Sequence, residues 1–157
     1  MTVNIPYFKD LRQIIAADQR CSTITPEDDQ IWELDSARGE PPGLAFQTTY
    51  GLRAYGIRVF PRFSIKKVPV SDPRSFSTKP QIQYVAPNFI ELQYSPFSNL
   101  DVIQKTWVPD SHTLTAQVAL TNGSAGLIQV WLEWIVQLNP LLTGSPMSAA
   151  QISVNTV

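Results

Sequence analysis

Two carboxylates interrupt apolar runs in this chain, Glu91 within Phe-Ile-Glu-Leu-Gln-Tyr and Glu133 within Val-Trp-Leu-Glu-Trp-Ile-Val. Sugar hydrolysis by acid–base chemistry needs two carboxyl groups facing each other across the scissile bond, which makes this pair one candidate chemistry. The other acids weighed include Glu27, Asp28, Asp29, Glu33, Asp35, Glu40, Asp101 and Asp110. A solvent-facing place on an alternating strand accounts for Glu91 and Glu133 without catalysis, and that is the reading adopted. His112 is the single histidine, so a Ser-His-Asp or Cys-His mechanism would have to pass every proton through it. Its position directly after Pro109-Asp110-Ser111 marks it as a turn residue. One histidine and one cysteine, Cys21, lie too far apart in sequence to start a zinc site. No phosphate-cradling glycine loop or dinucleotide fingerprint is present. The expectation is no catalytic residue, no metal and no cofactor.

Aromatic residues offer a different chemistry. The chain carries Trp32, Trp107, Trp131 and Trp134 together with Tyr50, Tyr55, Tyr84 and Tyr94. Trp107 and Trp131 fall on the polar-mixed side of their segments, where an indole either stacks on a sugar ring or anchors a protein interface. Charge is scarce around them, which favours the interface. Trp107, Trp131 and Ile135 are therefore the candidate interface or sugar-stacking residues.

The elements that must hold these residues read as strands. Segments 81–86, 88–95, 100–108, 112–121 and 127–138 are strand-like and separated by turn chemistry at Pro87, at Ser95 to Asn99, at Pro109-Asp110-Ser111 and at Asn122-Gly123-Ser124. Leu114, Ala116, Val118 and Leu120 share one face of their strand, with Thr113, Thr115, Gln117 and Thr121 on the other. In the last run Ile128, Val130, Leu132, Trp134, Val136 and Leu138 form one apolar face, while Leu127, Trp131 and Ile135 mix with Gln129, Glu133 and Gln137. That strand is expected to be covered on both sides. Upstream, 44–65 predicts two strands joined or kinked at Gly51 and Gly56, and 30–34 a brief strand. Residues 66–80, with Pro69, Pro73 and Pro80, read as a surface loop. Phe8, Leu11, Ile14 and Ile15 have helical spacing and predict a short amphipathic helix over 8–17. Regular short strands favour an antiparallel β-sandwich over βαβ units.

Composition bounds the rest. A chain of 157 residues matches one domain. Charged residues make up only 16%, below the roughly 25% usual for soluble domains, as expected for a surface that something covers. Twelve basic against thirteen acidic residues leave a formal charge of −1, which gives no electrostatic footprint for nucleic acid or anionic lipid. A lone cysteine forms no disulfide within the chain and suits a reducing compartment, so a cytoplasmic location is expected. The N-terminal residues lack the pattern of a secretion signal, and no run approaches the ~20 apolar residues of a spanning helix, so no membrane partner is expected. After Asn139-Pro140 the chain ends in a short alternation at 151–157, and the whole is expected to be an N-terminal piece of a longer polypeptide.

From Asn88 to Pro140 the order of segments is Phe-Ile-Glu-Leu-Gln-Tyr, Leu-Asp-Val-Ile-Gln-Lys-Thr-Trp-Val-Pro, Leu-Thr-Ala-Gln-Val-Ala-Leu-Thr-Asn-Gly-Ser and Val-Trp-Leu-Glu-Trp-Ile-Val-Gln-Leu-Asn-Pro. This order resembles the N-terminal β-sandwich, or supersandwich, that precedes the helical barrel in glucoamylase-like, glycogen-debranching-like and disaccharide-phosphorylase enzymes. The resemblance covers about a third of the chain and implies a non-catalytic role: the sandwich packs on a catalytic domain of the same polypeptide and supports it, with homo-oligomerisation as an accompanying possibility. A free-standing carbohydrate-binding module that uses the same aromatics is the rival expectation. Gly-Glu-Pro-Pro-Gly at 39–43 has no assigned role.

Overall fold

The computed structural model describes residues 12–16, 31–36, 39–48, 56–110 and 112–139. The chain lays down β1 (Arg12–Ala16), β2 (Ile31–Ser36), β3 (Leu44–Thr48), β4 (Gly56–Ile65), β5 (Val68–Val70), β6 (Thr78–Ala86), β7 (Phe89–Phe97), β8 (Leu100–Asp110), β9 (Thr113–Asn122) and β10 (Val130–Asn139). Sheet A has the order β1-β2-β3-β4-β10, with β5 also on β4, and sheet B the order β6-β7-β8-β9. Every pairing is antiparallel.

Alternation builds the core. Along β8, Leu100, Val102, Gln104, Thr106 and Val108 are buried, and along β7 Ile90, Leu92 and Tyr94 are. These residues meet Trp32, Leu34, Leu44, Phe46 and Phe63 of sheet A, and the two inner faces close on one hydrophobic cluster, as in a β-sandwich. Tyr94 stands at its middle. Its ring lies edge-on to Phe63 of sheet A at 6.0 Å and is stacked on Phe76 at 5.3 Å. Burial raises the Tyr94 phenol far above its ordinary value, so the hydroxyl keeps its proton and donates to Gln104 Oε1 at 2.6 Å. Gln104 Nε2 in turn donates to Thr106 Oγ1 at 3.2 Å. Among the described residues no buried side-chain nitrogen or oxygen lacks a partner.

The strand prolines sit where the ladder is broken or ends. Pro80, Pro96 and Pro109 fall inside register shifts of β6, β7 and β8, and Pro69 lies on the three-residue strand β5. Pro61 lies between the last β3 partner of β4, Val59, and its first β5 partner, Phe63. Missing N–H donors are tolerated at such places, so the strands run through prolines that the sequence presents as breaks. This corrects the loop expected over 66–80, part of which is the β4–β5 hairpin and the start of β6. The expected helix is also corrected where it can be compared: Arg12–Ala16 is strand, registered Arg12 to Asp35 through Ala16 to Ile31. Pairing with β2 satisfies the backbone of β-branched Ile14 and Ile15 better than a turn and a half of helix would. The rest of 8–17, Cys21 and 151–157 lie outside the described residues.

Lys66 and Lys67, at φ 50° and 65°, form the two-residue turn joining β4 to β5. Both central residues have positive φ, the type I′ requirement that Asn-Gly meets with least strain. Lys66→Asn combined with Lys67→Gly is expected to raise stability by about 1 kcal/mol, read as a higher urea midpoint at unchanged slope. An unchanged or lower midpoint would contradict the turn assignment.

Candidate functional site

The outer face of sheet A is a ladder of two strands. Arg58, Phe60, Arg62 and Ser64 of β4 stand directly opposite Gln137, Ile135, Glu133 and Trp131 of β10. Arg62 Nε donates to Glu133 Oε2 at 2.8 Å. That hydrogen bond holds the Glu133 carboxyl below its usual range and raises Arg62.

One end of this ladder is capped by the turn at 39–43. Arg58 Nη1 donates to Gln137 Oε1 at 2.8 Å and to the Pro41 carbonyl at 3.3 Å, and Gln137 Nε2 donates to the Glu40 carbonyl at 3.1 Å. The Arg58 guanidinium carbon lies 5.3 Å from the centre of the Phe60 ring, a cation–π distance. Gly43 passes so close that a Cβ there would sit 2.5 Å from Phe60 Cδ2. The Glu40–Pro41 peptide is cis. Gly-Glu-Pro-Pro-Gly therefore has a place: it covers Phe60 and Arg58, both of which are buried.

The other end of the ladder is open. Trp131 is 61% exposed, and its registered neighbours are small, Ser64 across the ladder and Pro69 beyond it on β5. The expectation that β10 is covered on both sides is thus corrected. Its even residues Val130 and Leu132 pack toward the core, while the odd row exposes Trp131 and Glu133 and half-buries Ile135. Among the described residues, the turn at 39–43 covers the Gln137 end.

The outer face of sheet B carries Trp107. Glu91 and Lys105 stand opposite each other in the β7–β8 register and their charged atoms approach to 3.7 Å. One row along, Phe89 stands opposite Trp107, and the Tyr84 ring, 56% exposed, meets Phe89 edge-on at 5.8 Å. Phe89 and Trp107 thus form a cross-strand aromatic pair that the Tyr84 ring extends onto β6 from the next register row, which also carries Glu91, Lys105 and Gln117. The alternation of Trp107 was legible in sequence. Tyr84 joins it only because a register shift between Ile82 and Tyr84 changes which β6 residues share its face.

The candidate residues divide between two surfaces. Trp131 and Ile135 lie on the outer face of sheet A, and Trp107 lies on that of sheet B, with the core between. Glu91 and Glu133 are separated in the same way, so they do not face a common bond. The backbone N–H of His112 donates to Asp110 Oδ1 at 2.9 Å, the hydrogen bond of a tight turn. Among the described residues no group of three or more His, Cys, Asp and Glu is placed to hold a metal ion.

Compared with protein families, with characterised proteins and with solved structures, the chain has no match. The two surfaces therefore rest on their own geometry.

Proposed function

We propose that this chain is a non-catalytic β-sandwich domain of a larger carbohydrate-active protein, of the glycoside hydrolase or phosphorylase kind, packing on the catalytic domain of the same polypeptide. The observation that carries the docking role is Trp131: a large indole, 61% exposed, at the uncapped end of an otherwise filled ladder. Exposed tryptophans of this kind are preferred interface anchors. The separation of Glu91 from Glu133 supports the non-catalytic part, and the order of segments from Asn88 to Pro140 supports the carbohydrate part. A cytoplasmic location belongs to the same proposal. No helix among the described residues is long and apolar enough to cross a membrane.

Trp131→Ala in the full-length polypeptide is expected to weaken docking by about 2 kcal/mol or more, seen as earlier melting of the domain pair. Melting and activity both equal to wild type would refute the docking role.

One observation favours a second reading, a carbohydrate-binding module. The Tyr84, Phe89 and Trp107 rings lie beside the Gln117 amide and the Glu91–Lys105 ion pair, a surface suited to the apolar face and hydroxyls of a sugar. Titration with linear α- and β-linked glucans, followed by tryptophan fluorescence, separates the readings. A saturable response lost in Trp107→Ala supports the module, and a flat response supports docking alone.

A further inference from the structure

A free sheet edge is a template for another strand, and folded proteins guard such edges with charge, proline, bulges or short length. Most edges described here are guarded. β1 is five residues long and carries Arg12, β5 is three residues long and carries Pro69, and β10 carries Glu133. β6 carries Lys79 and Pro80 and has two register shifts. β9 differs from all of these. It runs ten residues without a charge or a proline, and its ladder to β8 is unbroken from Thr115 to Asn122. Among the described residues it pairs only with β8. Leu120, in the inward row with Leu114 and Val118, is left 42% exposed.

The residues of β9 also complement themselves. Directly opposed antiparallel residues share a face of the sheet, so two identical strands related by a two-fold axis must pair about a residue. Centred on Gln117, Leu114 of one protomer meets Leu120 of its partner, Ala116 meets Val118, Thr113 meets Thr121 and Thr115 meets Ala119. The apolar inner row continues as an apolar row, the polar outer row as a polar one, and no like charges meet. A similar pairing through β10 would bring the single carboxylate of each strand toward its own copy.

We propose that a second copy of this chain pairs antiparallel along β9 in the register centred on Gln117. Two four-stranded sheets then become one continuous sheet, and the exposed Leu120 is covered by the partner's Leu114.

Sedimentation equilibrium of the 157-residue chain tests this. The wild type is expected to dimerise at about 10–100 μM, as suits a small edge interface. Gln117 is exposed and stands opposite Lys105 of β8, so Gln117→Glu is compatible with the folded protomer. Across the two-fold axis it opposes two carboxylates, and the dimer Kd should rise by at least about tenfold. Gln117→Lys should weaken self-association similarly, and an equimolar mixture of the two variants should restore it because glutamate then faces lysine. Thermal melting of each variant confirms that the protomer is folded. A wild type that remains monomeric throughout that range, as it would if residues 140–157 occupied the edge, overturns the proposal. So does undiminished association of both folded variants.

Discussion

Tyr94→Ala is expected to lower stability by about 4 kcal/mol, a large loss even among core substitutions. The ring is fully buried and touches aromatic partners on two sides, Phe63 from sheet A and Phe76 from the segment before β6. Deleting it opens a cavity between the sheets and removes the hydroxyl that donates to Gln104 Oε1. Two further variants separate packing from hydrogen bonding. Tyr94→Phe keeps the ring and leaves the glutamine oxygen unsatisfied, at a cost of about 1–3 kcal/mol. Adding Gln104→Leu to Tyr94→Phe replaces both partners by apolar groups, so the double variant should lose less than the two single losses combined. Urea denaturation gives all of these values. Strict additivity would mean that the Tyr94–Gln104 bond is absent in solution.

Gly43→Val is expected to cost about 3 kcal/mol, by overpacking rather than by cavity. A Cβ at this position lies 2.5 Å from Cδ2 and 2.7 Å from Cγ of Phe60, and a ring held within a sheet has no room to retreat. The turn at 39–43 must lift, which breaks the bonds from Arg58 to Pro41 and from Gln137 to Glu40. For a chain of this size the melting temperature should fall by roughly 6–12 °C. Phe60→Ala in the same molecule removes the atoms in conflict, so the double variant should lose less than the two single losses combined. A valine tolerated without change would show that the turn does not lie on Phe60.

Much of this architecture can be read from residue order. Period-two alternation located the strands of sheet B and β10, because a half-buried strand must alternate. The short strand near Trp32 and the pair within 44–65 were legible from β-favouring residues set between turn and glycine signals. Prolines misled, since a proline reads as a stop unless a bulge accommodates it, and a bulge depends on the neighbouring strand. The helical spacing of Phe8, Leu11, Ile14 and Ile15 misled similarly: the partner that draws Arg12–Ala16 into a sheet is about twenty residues away in sequence. Of the candidate surfaces, Trp107, Trp131 and Ile135 were found by alternation. Their division between two faces was not, because face identity depends on which sheet each strand joins. The cap formed by Gly39 to Gly43 depends on Phe60 and Arg58 and left only its glycines and prolines as a local sign.

Gln104 and Thr106 have a consequence for how the strands find their alignment. Leu100–Asp110 could slide two residues along Phe89–Phe97 and still present alternate residues inward, so greasy contacts alone discriminate poorly between neighbouring alignments. A hairpin slipped so that Leu100 faced Tyr94 would carry the Gln104 amide away from the Tyr94 hydroxyl and strand it in hydrocarbon without a mate. The polar trio thus acts as a vernier, penalising near misses during assembly that oil-like packing would forgive.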